Sequence, residues 1–228
     1  MTTTTLPPRV ARYSGIIPIE KLQANPVTIV GCGSIGRQVA LALASMGVTK
    51  FTLYDPDIIE EENLGTQGWS PYSLGEKKVK NLDEDIEWLT GNIEGADTTY
   101  LDRKAKRSDT LGEIVFCCVD SMESRSDLYK SFCKHGGEFF CDTRMGAEVF
   151  VVHTISDHNL KSKEHYAATL FPDSDANPAP CTARSTYYCA LLAAGFAINA
   201  YTHHLRGLPP VKSLHFDLPT NQVMDCIR

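Results

Sequence analysis

The sequence predicts an α/β fold, a mostly parallel sheet flanked by helices, and three observations carry that prediction. Short apolar runs of strand composition alternate with helix-length segments along most of the chain. A glycine-rich turn joins the first of these strands directly to a helix. With 228 residues, 43% of them hydrophobic, the chain can bury one proper core.

Residues 1–24 are Pro- and Thr-rich, then moderately apolar, and read as an N-terminal arm; residues 25–228 read as the domain. Val27 to Val30 is a buried strand, Ile35 to Met46 a helix closed by Gly47, and Phe51 to Tyr54 a second strand ending in Asp55. A loop is expected to Tyr72, then a helix from Gly75 to Leu89. Strands follow near Thr98 to Leu101 and Ile114 to Val119. A helix over Asp127 to His135 separates the latter from strands at Glu138 to Cys141 and Val149 to Thr154. From Ser156 to Pro180 the pattern breaks into a polar, Asp- and Pro-containing crossover loop, and loops of that length tend to be functional. Ala183 to Arg206 is a long apolar helix. The C-terminal strand region holds one last strand around Leu214 to Leu218.

Composition narrows the function classes. A net charge of −6 argues against nucleic acid as the main partner, because phosphate contacts need clustered Lys and Arg. The one basic cluster, Arg103 to Arg107, reads as a solvated loop. Of the eight cysteines, Cys117 and Cys118 lie in an apolar run and Cys32 in the glycine turn, positions that suit reduced thiols. No Cys-x-x-Cys pair supports a structural zinc, so no zinc is expected. The N-terminus lacks the apolar centre of a signal peptide, and no apolar run is long enough for a membrane span. The expectation is a soluble cytoplasmic protein with no membrane partner.

The turn itself reads Gly31-Cys32-Gly33-Ser34-Ile35-Gly36. Between a strand and a helix, Gly31 permits a tight turn, Gly33 lets the backbone approach a ligand, and Gly36 lets helix and strand pack closely. Asp55, roughly 20 residues on at the end of the second strand, can accept ribose hydroxyl hydrogen bonds. This is the phosphate loop of a Rossmann-like nucleotide-binding domain. Alone it does not separate a dinucleotide from ATP. Asn63, Gln67 and Lys78, polar and cationic groups that follow Asp55, are what a phosphoryl or nucleotidyl transfer site needs.

The runs Asp55-Pro-Asp57-Ile-Ile-Glu-Glu-Glu-Asn63-Leu-Gly-Thr-Gln67, Gly75-Glu-Lys-Lys78 and Val119-Asp120-Ser-Met-Glu-Ser-Arg125 resemble the adenylation domain of the ThiF, MoeB and ubiquitin-activating family. The resemblance covers roughly residues 10 to 206. It implies activation of the C-terminal carboxylate of a small ubiquitin-like or sulfur-carrier protein ending in Gly-Gly, with ATP and Mg2+, to an acyl adenylate and pyrophosphate. It also implies a homodimer. By the same resemblance the loop, Gly31, Gly33, Ser34, Ile35 and Gly36, would bind the nucleotide with Asp55 and Asp57. Asn63 and Gln67 would line the phosphate site, and Lys78 would neutralise charge on the α-phosphate. Asp120 would bind the magnesium, the alternative being a cap on the next helix. For Lys78 the alternative is a solvated helix lysine, since Lys77 stands beside it.

The chain departs from that family's pattern at two places. Thr66 stands where the family has an arginine, and Gly15 where its N-terminal arm has another. Arg12, Arg37 and Arg144 are the candidates to substitute. Asp142-Thr-Arg144 reads as a structural ion pair at a sheet edge, the alternative being a wall of the substrate-tail channel. Cys181, in Pro180-Cys181-Thr182, resembles the thioester-forming cysteine of eukaryotic-type activating enzymes, and a helix N-terminus there would favour its thiolate. Its alternative is a small buried residue at a helix start; Cys189 reads as core. Besides the adenylyltransferase, a catalytically inactive binding or scaffold subunit and an NAD-linked redox enzyme stay open.

Overall fold

Val27, Ile29, Phe51, Leu53, Ile114 and Phe116 are essentially inaccessible on one face of their strands and Val30, Val115 and Cys117 on the other, as in strands buried on both faces. In the computed structural model, which describes residues 8–91, 93, 95–156, 160–175 and 185–227, they form the centre of one eight-stranded sheet. The strands are β1 (Val27–Val30), β2 (Lys50–Tyr54), β3 (Asp97–Leu101), β4 (Ile114–Cys117), β5 (Phe139–Gly146), β6 (Val149–Ile155), β7 (Ser213–Asp217) and β8 (Gln222–Ile227). Their order is β3-β2-β1-β4-β5-β6-β7-β8. From β3 to β5 every pairing is parallel; β6, β7 and β8 are added antiparallel. The fold is the Rossmann-like α/β arrangement expected. The chain leaves β1 towards β2 and β3, then returns to place β4 on β1's other side. That reversal opens a crevice at the carboxyl ends of β1 and β4, where such sheets bind ligands.

The helices are α1 (Ile19–Ala24), α2 (Ser34–Ser45), α3 (Glu61–Gln67), α4 (Lys78–Thr90), α5 (Met122–His135), α6 (Leu160–Ala167) and α7 (Tyr187–Leu205). Alternation along the strands divides the core in two. Phe116 and Phe139 face Val39 and Leu43 of α2 and Tyr201 of α7, with Phe116 and Tyr201 edge to face. Val115, Cys117 and Phe140 face Leu128 and Phe132 of α5 and Tyr166 of α6.

Several elements differ from the reading of the sequence, each for a local reason. The segment after Asp55 contains α3, where the Asn63 side chain accepts from the Glu60 N–H at 3.1 Å and caps a helix with a short, mostly polar sequence. Helix α5 starts at Met122 instead of Asp127, because the Ser121 hydroxyl accepts from the Ser124 N–H and caps it there. Gly75, at φ +84°, sits in the turn before α4, so that helix begins at Lys78. Strand β4 ends at Cys117, and β5 runs on to Gly146 as half of a hairpin with β6. The crossover segment holds α6 and a 3-10 turn at Asp173–Asp175. Strand β8, absent from the sequence reading, pairs with β7. Helix α7 begins at Tyr187, after an extended Thr186, and not at Ala183. Cys189 lies in the core, as expected. Among the described residues no helix is long and apolar enough to cross a membrane.

The stretch read as an arm has a structural job. Val10 and Leu22 are buried, Leu22 within the main core. Arg9 donates to the Ser45, Thr90 and Leu89 carbonyls, and Tyr13 to that of Met46 at 2.6 Å. One guanidinium thus satisfies the orphan carbonyls at the C-terminal ends of both α2 and α4. Leu22→Ala should cost about 2–5 kcal/mol in a urea unfolding titration, the range for a core leucine. A value near zero would make this helix dispensable.

Candidate functional site

The glycine turn obeys steric rules legible in its coordinates. Gly31 has φ +89°, and a Cβ there would come within 2.6 Å of the Cys118 carbonyl oxygen. A Cβ on Gly36 would lie 1.8 Å from the Gly31 carbonyl oxygen. Only hydrogen fits at either place, so the first turn of α2 is drawn onto the ends of β1 and β4. Gly33 precedes α2 and turns its backbone to the cavity.

Asp55 fastens this turn from the neighbouring strand. It is 5% exposed. One carboxylate oxygen accepts from the Cys32 N–H at 2.7 Å, the other from the Asp57 N–H at 2.8 Å. Burial raises its pKa, and the Asp57 N–H, Lys78 and the Cys32 N–H pull the other way.

A cavity of about 560 Å3 opens between these elements, a volume suited to a small-molecule ligand. It is lined by Gly31, Gly33, Ser34, Ile35, Asp55, Asp57, Gln67, Lys78 and Asp120, nine of the residues singled out from the sequence. Gly36 packs beneath it. Asn63 lines an adjoining cleft that shares Asp57, Gln67 and Lys78. Cys181 lies outside the described residues. The helix N-terminus expected to act on its thiol begins only at Tyr187, because Ser185 is held in a bridge to Ala147.

Lys78 is no solvated helix lysine. It is 5% exposed, its Nζ 3.0 Å from Asp57 Oδ2, whereas Lys77 is exposed and pairs with Asp102. Asp120 is exposed on the cavity wall and does not cap α5, since Ser121 does. Gln67 accepts from the Trp69 indole N–H at 2.9 Å, and its carbonyl accepts from Gln38.

The candidate replacement arginines separate cleanly. Arg12 is exposed, and Arg37 is spent on Asp85 at 2.8 Å and on the Trp69 ring. Thr66 bonds back to the Glu62 carbonyl of its own helix. Arg144 does line the cavity, and so does Arg125, to which the sequence reading assigned no role. Both grip the fully buried Asp142, which also accepts from Tyr166. The ion pair read as structural is real, yet two guanidinium groups share one carboxylate, leaving a net positive charge in this wall. Burial pushes both below the usual arginine range. Arg125 further holds the carbonyls of Val119 and Thr143, and Arg144 holds Thr169 of the crossover segment. The basic cluster is not wholly solvated either. Arg103 chelates Asp109 and lies over the Tyr54 ring, and Lys104 and Ala105 line the cavity. The sequence offered Arg144 as one candidate among three and Arg125 only within a motif; the strand order is what brings both to the cavity.

A single exposed carboxylate such as Asp120 fits a hard cation that arrives with phosphate oxygens and water, not a dedicated protein cage. Among the described residues no group of three or more His, Cys, Asp or Glu side chains could hold a metal. The described cysteines Cys32, Cys117, Cys118, Cys133, Cys141 and Cys189 are free thiols.

Comparison with known proteins agrees with this geometry. The model of the ThiF family matches residues 10–227. Ubiquitin-like modifier-activating enzyme 5 of Caenorhabditis elegans is 34% identical over 119 residues, 46% of this chain and 28% of that protein. Its Branchiostoma floridae counterpart is 27% identical over 138 residues, 54% of this chain and 34% of that protein. The chain therefore covers about a third of these curated relatives. Among solved structures, E. coli MccB with AMPCPP and MccA superposes with a TM-score of 0.76 at 15% identity, over 98% of this chain and 72% of that one. PaaA does so with 0.75 at 15%, over 98% and 84%. Such low identity speaks for the fold alone.

Behind Arg144, His153 is buried, accepting from or donating to Ser213 at 2.9 Å. Burial, then Arg144, lowers its pKa from 6.5 to about 3, so the fold holds it neutral. The stability this contributes is complete above the unfolded value and is lost as pH falls from 6.5 towards 3. At about 1.4 kcal/mol per pKa unit the whole loss is on the order of 5 kcal/mol. Urea melts of His153→Gln should decline less between pH 7 and pH 4 than those of the parent; parallel declines would refute the assignment.

Proposed function

The chain belongs to the ThiF family, and on that premise we propose that it is an ATP-dependent adenylyltransferase. Its substrate is the C-terminal carboxylate of a ubiquitin-like or sulfur-carrier protein ending in Gly-Gly. The observation that carries this reading is the buried ammonium of Lys78 in one cavity with the glycine turn and Asp55. A nucleotide with its ribose at Asp55 and its phosphates over Gly33 and Ser34 would run towards Lys78. The substrate carboxylate attacks the α-phosphorus, the bond to the β-phosphate oxygen breaks, and pyrophosphate leaves with its electrons. Lys78 neutralises the charge that builds on the α-phosphate oxygens, which a preorganised, poorly hydrated cation does well. Asn63 and Gln67 offer amide donors beside the phosphates. Mg2+, held by Asp120 and phosphate oxygens, would add Lewis-acid charge to the same group. Arg125 and Arg144 supply the positive potential that Thr66 and Gly15 do not.

Within this reading the adenylate passes to Cys181 as a thioester, with AMP leaving. Free thiols throughout the described core suit a cytoplasmic setting. Helix α7 keeps Tyr188, Leu191 and Leu192 exposed, a face that suits a homodimer. The second reading, an inactive scaffold subunit, draws on Thr66 bonding its own helix where the family has an arginine.

Exchange of labelled pyrophosphate into ATP, assayed against a panel of small Gly-Gly-ending proteins, separates the two readings. With the right protein, Lys78→Ala and Asp120→Ala should each lower exchange by about 100-fold or more. Exchange that survives both changes sinks the adenylation reading. A protein that binds no ATP leaves only the scaffold.

A further inference from the structure

Lys78 and Asp57 are joined twice. The Lys78 main-chain N–H donates to the Asp57 carbonyl at 3.1 Å, and its ammonium donates to Asp57 Oδ2 at 3.0 Å. The two side chains differ sharply in burial, 6% exposed for Lys78 and 61% for Asp57. The main-chain bond and the packed lysine stem hold the ammonium near its place without help from the carboxylate. What the Asp57 side chain adds is charge. A buried ammonium needs a counter-ion, and its other donors stay available to a ligand.

Both residues line the main cavity and the adjoining cleft, so a phosphate approaching through either meets the pair. Asp55, the other acid beside Lys78, is committed to the Cys32 and Asp57 N–H groups. Asp57 alone of these acids is exposed enough to turn outward into water.

We propose that the Asp57 carboxylate is an internal counter-ion for Lys78 that the nucleotide's phosphate replaces, so that Asp57 sets how tightly the site holds phosphate. This rests on the adenylation reading above. Asp57 is then a positioning residue acting through Lys78, and not a nucleotide contact. Linkage fixes the sign. An ion pair present before phosphate binds, and given up when it binds, opposes binding; removing it tightens binding. The same pair re-forms as pyrophosphate leaves, so it eases product release. Affinity is exchanged for turnover.

The test is calorimetric titration of the full chain with ATP and magnesium, and separately with adenosine, which has no phosphate. At physiological salt Asp57→Asn should tighten ATP about two- to fivefold, the range for a pair with one exposed partner. The combination with Lys78→Ala separates loss of the ion pair from plain repulsion between carboxylate and phosphate. Adenosine affinity should not move, and the gain should vanish in Asp57→Asn combined with Lys78→Ala. Asp57→Ala, which removes the acceptor, should shift ATP in the same direction. ATP binding that weakens or stays unchanged in Asp57→Asn overturns the proposal, as does a gain that persists without Lys78. A parent protein that binds neither ATP nor adenosine overturns the adenylation reading instead.

Discussion

A buried carboxylate bridging two backbone amides holds this site together. Asp55 takes one hydrogen bond from the glycine turn and one from the Asp57 N–H, so the turn after β1 and the turn after β2 share one anchor. Burying a carboxylate is unfavourable unless its lone pairs are used, and here two N–H groups use them. The raised pKa of Asp55 is the remnant of that burial cost. From this anchor the geometry propagates outward. Asp57 is placed by its own N–H; its carbonyl in turn holds the Lys78 N–H at the start of α4, and its carboxylate pairs with the ammonium.

The opposite wall is built on the same logic with the charges inverted. Asp142, fully buried, gathers Arg125, Arg144 and the Tyr166 hydroxyl. Arg125 ties the loop carrying Asp120 to β5, and Arg144 and Tyr166 tie the crossover segment to the same strand. Asp173 of that segment also accepts from the Met122 and Glu123 N–H groups at the start of α5. The cavity is thus framed by two charge-assisted clusters, one holding the glycine turn and one holding the crossover segment. Breaking a buried cluster by removing one partner is far more costly than the cluster's net worth.

Most of the parallel half of the sheet was legible because β1, β2, β4 and β5 are rich in apolar residues, which means burial on both faces. Strand β3, with Asp97, Thr98 and Thr99, is largely exposed and lacks that run. The antiparallel extension was less so: β8, with exposed Val223 and Met224, lacks that signal. Helix α3 is not legible in the sequence because seven residues with two acids carry no apolar periodicity; only its capping and its packing on α2 make it a helix. The arm was misjudged for a related reason. Arg9 and Tyr13 are held by the carbonyl ends of α2 and α4, partners distant in sequence.

What the sequence determined by itself was the glycine turn, the acid at the end of the second strand, and the order of motifs that names the family. Each is local, set by steric or hydrogen-bonding demands within a few residues. Which lysine is buried at the cavity, whether Asp120 caps a helix, and which arginines reach the cavity wall were decided only by the tertiary structure. Burial separates Lys78 from Lys77, and Ser121 relieves Asp120 of capping. Strand order brings Arg125 and Arg144 to the wall across from the Gly31 turn. Charge in a cavity is a property of distances between segments, and a sequence carries those only through the fold it adopts.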